Sequence, residues 1–277
     1  MIRYHCPLRW GDMDAQGHLN NASYLDYLQE ARVHFLLSGP PTLQELLTTG
    51  VLVVSHQVEY LAPVEFSEHG LEVDLWVDAL GGSRFAIGYD VLDGDRLVAR
   101  ARTGAVPYDL AADRLRRLTA EERGLLAAEL DPHEPLRDLP RVPRGARRDA
   151  EHHYRLAVRW SDLDSYGHVN NVKFFDYVQE GRVALIAECL GWGPDDVWVI
   201  VRQDLEYLRP MDFRTTPYVV ATVVADTGNR SVTLAAEIRD PETGETFASA
   251  RTVLVGRSPL TPGQRGALGR HALDPAA

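Results

Sequence analysis

The sequence predicts an α+β protein in which one small domain is written twice, each copy an antiparallel sheet wrapped around a central helix. Three observations predict it. A stretch of 24 residues recurs without gaps later in the chain; an amphipathic helical stripe follows its polar core in both places; and segments of alternating apolar and polar residues succeed the stripe.

Residues 9–32, RWGDMDAQGHLNNASYLDYLQEAR, and residues 159–182, RWSDLDSYGHVNNVKFFDYVQEGR, are identical at 13 of 24 positions. The likeness continues in order. VEYLAPVEF (58–66) matches LEYLRPMDF (205–213), ARARTGAV (99–106) matches ASARTVLV (248–255), and LTAEERGLLA (118–127) echoes LTPGQRGALG (260–269). The offset drifts from 150 to 147, 149 and 142, as small loop insertions and deletions would make it drift.

Within each copy the elements follow from periodicity. Tyr4 to Trp10 is short and strand-like. From Asn21, apolar residues fall at Tyr24, Leu28, Ala31 and Phe35, the face of a helix, and the second copy repeats them at Phe174, Val178, Gly181 and Leu185. The small residue at 31 and 181 would let a sheet approach closely. A short helical segment is expected near Leu43–Leu47. Period-two runs follow through Val54, Val58 and Tyr60; Leu71, Val73, Leu75 and Val77; Phe85, Ile87, Tyr89 and Val91; and a last run ending at Val106. Pro63 and Pro210 stop the first of these strands at equivalent points. Residues 131–150, with four prolines, five arginines and four acidic residues, read as a proline-extended linker. The expected division is 1–128, a linker 129–150, and 151–277 with a C-terminal tail.

A chain of 277 residues with 45% hydrophobic composition can bury two ordinary cores. Its net charge of −11 argues against nucleic acid or an anionic membrane as main partner, since both require a basic field. Cys6 and Cys189 lie in unrelated contexts, so neither a disulfide framework nor a Cys-based zinc site is expected. With no signal-peptide core and no apolar run of membrane length, a soluble cytoplasmic protein is the expectation.

The chemistry concentrates in Asp12-Met13-Asp14-Ala15-Gln16-Gly17-His18-Leu19-Asn20-Asn21, on the turn leading into the helix. Free N–H groups and the positive end of the helix dipole can hold a developing negative charge there. A carboxylate beside them supplies a base or nucleophile, which together make the parts for acyl hydrolysis. Each residue also has a plainer reading. Asp12 and Asp162 suit a turn that accepts local hydrogen bonds, Asp14 and Asp164 could merely cap the helix, and His18 and His168 could hold the loop in shape. Asn20, Asn21, Asn170 and Asn171 are N-cap types whose side chains shape the turn while backbone groups face substrate. Glu30 with Arg32, and Glu180 with Arg182, fit a solvated helix face or support for domain pairing. Glu59 and Glu206 lie on the strand face opposite Val58 and Tyr60.

This motif resembles the hot-dog-fold thioesterases of the 4-hydroxybenzoyl-CoA thioesterase type, and WSDLDSYGHVNNVKFF is similar to a stretch of plant acyl-ACP thioesterases. The resemblance covers nearly both halves. It implies a five- or six-stranded antiparallel sheet wrapping the helix, and an acyl-CoA or acyl-ACP substrate bound where two domains pair. Asp14 and Asp164 then match the base or nucleophile, and the Asn21 and Asn171 N–H groups match the donors that polarise the thioester carbonyl. His18 and His168 are retained; Gln16 and Tyr166 stand where the acyl-ACP enzymes carry Asn, so the two sites are expected to differ. Gly17, Gly167, Asn20 and Asn170 complete the substrate-binding loop.

No cofactor and no metal are expected. The chain has no HExxH or His-x-x-x-His pair, and it lacks a GxSxG elbow and Walker or GxGxxG loops. A non-catalytic acyl-thioester binding protein and a hot-dog dehydratase are the competing readings. The doubling itself predicts an intramolecular pseudo-dimer, because pairing covers an exposed sheet edge; further homo-oligomerisation is left open.

Overall fold

Alternating apolar residues put one face of a strand against a helix, and the computed structural model of the chain identifies the partners. It describes residues 1–140, 142, 150–191 and 197–273. The chain divides into two units, Met1–Arg137 and Asp138–Ala277.

The first unit contains β1 (Ile2–Cys6), α1 (Tyr24–Ser38), α2 (Pro41–Thr49), β2 (Val51–Tyr60), β3 (Leu71–Leu80), β4 (Phe85–Asp93), β5 (Arg96–Asp109), a short β6 (Arg114–Leu115) and α3 (Ala120–Ala128). Its sheet runs in the order β1-β3-β4-β5-β2, every neighbour antiparallel, with β6 paired to the end of β5. The second unit repeats the plan. It contains β7 (His152–Leu156), α4 (Lys173–Cys189), β8 (Trp198–Tyr207), β9 (Tyr218–Thr227), β10 (Ser231–Arg239), β11 (Thr246–Gly256) and α5 (Pro262–Gly269), with strand order β7-β9-β10-β11-β8. Register shifts interrupt the pairing at several points in both sheets, as in strands that bend.

The stripe read from the sequence is the buried one. Tyr24, Leu28, Ala31 and Phe35 of α1 are buried, together with Leu25, as are Phe174, Val178, Gly181 and Leu185 of α4. Truncating Leu25 or Leu28, both fully buried, would cost about 2–5 kcal/mol. The close approach expected at the small residue is real: a Cβ on Gly181 would lie 2.7 Å from Val220 Cγ1 on β9. The helices begin later than the stripe suggests, at Tyr24 and Lys173, with Ser23 and Val172 at the N-cap position. The four Asn residues therefore lie in the turn ahead of the helix and cap neither one. Strands β2 and β8 end at Tyr60 and Tyr207, just before Pro63 and Pro210.

Helices α3 and α5, unread in the sequence, close each unit. Both open on a capping box, Thr119 with Glu122 and Thr261 with Gln264. Leu126 and Leu268 anchor them in the cores. In the segment 129–150, Glu129 and Asp131 bond to Val77 of β3 and the His133 ring stacks on Trp76, while Arg251 donates to the carbonyls of Leu139 and Pro140. Much of the arginine-rich stretch, residues 141 and 143–149, lies outside the described residues. Among the described residues no helix is long and apolar enough to cross a membrane.

Candidate active site

After β1 the chain makes a 3-10 turn at Trp10–Asp12, and the same turn follows β7 at Trp160–Asp162. The first Asp of each motif is a latch. Asp12 Oδ2 accepts the Tyr27 hydroxyl at 2.5 Å and Arg9 Nε at 2.8 Å; Asp162 Oδ2 accepts the Tyr177 hydroxyl at 2.6 Å and the Arg159 N–H at 2.9 Å. Burial, together with the hydrogen bond to the carboxylate, pushes the Tyr27 phenol up to about 12, and the Tyr177 phenol is displaced upward for the same reasons. The phenol therefore stays protonated and donating, and ties the loop to the first turns of α1 or α4. The sequence suggested bonds to nearby backbone, which Asp162 makes with the Arg159 N–H; the partner common to both copies is a tyrosine 15 residues on.

The second Asp closes the loop. The Asp14 N–H donates to the His18 carbonyl at 2.7 Å, and the Gly17 N–H returns to the Asp14 carbonyl at 3.0 Å. Asp14 Oδ1 accepts the N–H groups of Gln16 (2.8 Å) and His18 (3.1 Å). The second copy has Asp164 N–H to His168 carbonyl at 2.8 Å, Gly167 N–H to Asp164 carbonyl at 3.1 Å, and Tyr166 N–H to Asp164 Oδ1 at 2.9 Å. Such a turn requires a left-handed residue, supplied by Gly17 (φ 78°) and Gly167 (φ 82°). One carboxylate oxygen is thus held by the loop, while the other, Oδ2, takes no hydrogen bond from the described residues in either copy.

The loop is sewn to the segment after β2 or β8. Leu19 N–H donates to Val64 and Val169 N–H to Met211, both at 2.8 Å. Two of the repeated segments of the chain, the motif and the segment at the end of β2 or β8, are therefore direct neighbours in each unit. Asn20 Oδ1 accepts the Ala22 N–H at 2.9 Å, and Asn170 Oδ1 accepts the Val172 N–H at 3.4 Å, so these side chains shape the turn. The Asn21 carbonyl accepts the Tyr60 hydroxyl at 2.7 Å and the Asn171 carbonyl accepts the Tyr207 hydroxyl at 2.8 Å. Ser23 and Val172 have helical dihedrals, and the Ser23 N–H donates to the Asn20 carbonyl at 3.0 Å as the Lys173 N–H donates to that of Asn170 at 2.9 Å, so residues 21 and 171 lie in a turn just ahead of the positive end of the helix.

His18 and His168 are half-buried, and His168 Nε2 lies 3.8 Å from Asp212 Oδ1. The copies differ at the fifth position of the motif: Gln16 is exposed, whereas Tyr166 is half-buried and its phenol is pushed up, first by burial and then by Asp164. Sequence reasoning missed Tyr27, Tyr60, Tyr177 and Tyr207, and of its two readings of Arg32 and Arg182 the solvated helix face does not hold. Both arginines are buried, Arg32 reaching the Tyr89 hydroxyl at 3.4 Å and Arg182 reaching Gln203 Oε1 at 3.3 Å. Glu30 and Glu180 are the solvated members. Residue 32 is four beyond Leu28 on the apolar stripe, which was the signal available. Beside each loop stands an exposed aromatic pair: Trp10, 74% exposed, lies edge-on to Phe66 at 5.2 Å, and Trp160, 73% exposed, lies edge-on to Phe213 at 5.5 Å.

Comparison with known proteins places this geometry. The family described as the thioesterase-like superfamily matches residues 8–139 and 158–258. A curated protein of Aquifex aeolicus (strain VF5) carrying an esterase name is 30% identical over 102 residues, which is 36% of this chain and 79% of that protein. Among solved structures, the 12:0-ACP thioesterase from Umbellularia californica superposes with a TM-score of 0.75 at 21% identity, covering 91% of this chain and 93% of that one. An acyl-ACP thioesterase from Bacteroides thetaiotaomicron VPI-5482 superposes with a TM-score of 0.66 at 14% identity, covering 91% and 96%. At these identities the structures establish the fold, two hot-dog domains in tandem.

Proposed function

Because the chain belongs to the thioesterase-like superfamily, we propose that it hydrolyses acyl thioesters of coenzyme A or acyl carrier protein to a carboxylic acid and a thiol, with Asp14 and Asp164 as the reacting carboxylates. One observation carries the assignment of residues. In both copies the loop grips Oδ1 of this Asp, through two of its N–H groups in the first and one in the second, and leaves Oδ2 without a partner among the described residues. A carboxylate fixed in this way is preorganised to take a proton from water or to attack a carbonyl carbon.

In the base route, Oδ2 removes a proton as water adds to the thioester carbon. The Asn21 or Asn171 N–H, at the positive end of the helix, steadies the oxygen as it becomes an oxyanion. Collapse breaks the carbon–sulfur bond, and the thiolate leaves and takes up a proton. In the nucleophile route, Oδ2 itself forms a mixed anhydride, the thiolate departs, and water then cleaves the anhydride. The Tyr60 and Tyr207 hydroxyls support either route by fixing the carbonyl of the same Asn residues. Asp12 and Asp162 are occupied by their tyrosines and serve positioning.

The test is thiol release from acyl-CoAs of graded length and from one acyl-ACP. Asp14→Asn combined with Asp164→Asn should leave a folded protein at least about 100-fold slower, as expected for loss of a general base. Near-normal turnover by the folded double variant refutes the assignment. Single turnovers in 18O-water separate the routes, since only the nucleophile route can place the label in an Asp side chain.

A further inference from the structure

We propose that Glu188, Cys189 and His271, with His152 beside them, form a binding site for a borderline-soft divalent cation of the zinc class in the second unit. The residues are remote in sequence and meet at one place in the fold. Glu188 and Cys189 end α4, His152 opens β7, and His271 follows α5. A carboxylate oxygen of Glu188, Cys189 Sγ and a ring nitrogen of His271 all lie within 4.8 Å of one another. Glu188 is 3.6 Å from His271 Nε2 and 3.6 Å from His152 Nε2. A tetrahedral site with metal–ligand bonds of about 2.1 Å has ligand–ligand edges of about 3.4 Å, so small side-chain movements close these gaps.

The hydrogen bonding points the same way. His271 Nδ1 lies 2.9 Å from the Ala150 carbonyl, which fixes that nitrogen as the donor and leaves Nε2 carrying a lone pair. That Nε2 is buried and has no hydrogen-bond partner, and His152 Nδ1 is buried without one as well. Buried polar nitrogens left unpaired are uncommon and costly; a cation would satisfy the one facing Glu188. Cys189 is buried and supplies thiolate once its proton passes to solvent. The competing cation is Arg270, whose exposed guanidinium stands 3.8 Å from Glu188 and is free to swing outward.

The first unit acts as an internal comparison. Val77 N–H bonds to the Glu129 carbonyl just as Val224 N–H bonds to that of His271, so residues 129 and 271 are equivalent in the fold. With the repeat offset, Ile2, Ser38 and Gly39 take the places of His152, Glu188 and Cys189. The donor set has arisen in one copy alone. A cation there would fasten the segment after α5 to the end of α4 and to β7, a structural role separate from thioester hydrolysis.

The experiment is a cobalt(II) chloride titration of the untagged full chain after chelator treatment, with zinc(II) as competitor. The expected result is uptake of one cobalt per chain with a thiolate-to-cobalt charge-transfer band, displaced by zinc. Cys189→Ser should abolish the band, and Glu188→Gln, changed at a half-exposed side chain that folding tolerates, should weaken cobalt binding at least about tenfold. Uptake without the band marks an adventitious ion only and overturns the proposal. So does a band that survives Cys189→Ser, or unchanged affinity in Glu188→Gln should Cys189→Ser fail to fold.

Discussion

Replacing Tyr177 by Phe removes one hydroxyl from a nearly closed network and leaves ring packing intact. In the second unit the Asp162 carboxylate is buried and its Oδ2 is held by that hydroxyl at 2.6 Å and by one backbone N–H. A hydrogen bond to a charged group contributes about 1.5–3 kcal/mol, and here the carboxylate would keep only the N–H of Arg159. Tyr27→Phe is the matched control, because Asp12 keeps the guanidinium of Arg9 at 2.8 Å and is less buried. It should cost about 1 kcal/mol, near the ordinary value for a hydrogen bond. Hydrogen exchange read by mass spectrometry resolves the units: residues 160–172 should exchange faster in Tyr177→Phe and residues 10–22 in Tyr27→Phe, the former by more. Urea unfolding gives the matching free energies. Turnover should fall about tenfold or more at the loosened loop, since small misplacement of a reacting group is expensive. Equal costs in the two variants, or a larger cost for Tyr27→Phe, would refute the reasoning.

Two further outcomes follow from asymmetry and burial. Asp14→Asn and Asp164→Asn made singly should reduce thioester turnover unequally, with Asp14 the larger contributor because its loop carries Gln16, an amide able to position water, where the other carries Tyr166; equal halving by each would show two equivalent sites. Burial pushes the Cys6 thiol up to about 12, whereas in the unfolded chain it ionises near about 8.5. The folded state therefore binds more protons between these values, the contribution is fully present below about 8.5, and stability falls as pH rises through that window. Cys6→Ala should flatten the alkaline limb of the stability–pH curve measured by urea unfolding, and an unchanged limb would count against the shift.

Local periodicity made the architecture legible. The stripe from Tyr24 to Phe35 and the alternation from Leu71 to Val91 lie within single elements, so spacing alone reveals them. The capping boxes Thr119–Glu122 and Thr261–Gln264 were equally local, and reading them would have found α3 and α5. The long-range partners were not legible. Nothing near Tyr60 says that its hydroxyl ends on Asn21, and nothing near Glu188 says that His271 arrives beside it, because sheet order and helix docking create those neighbours. The solvated reading of Arg32 failed since a charged residue suggests solvent, while its place on the stripe prescribed burial. The loop lay between these cases: its residue types indicated chemistry and set Asp12 apart from Asp14, while the fold supplied their partners, Tyr27 for Asp12 and the loop's own N–H groups for Asp14.

The exposed pairs Trp10–Phe66 and Trp160–Phe213 give each loop an optical reporter. An indole in water emits at longer wavelength than a buried one and is open to collisional quenchers, and these two are the most exposed tryptophans among the described residues. Changing Trp10 to Phe removes the first loop's contribution to the red edge of the emission, and changing Trp160 removes the second's. The difference between each variant and the parent chain then isolates one loop, so a change of environment at either loop on adding an acyl-CoA becomes a spectroscopic quantity that steady-state product formation averages away.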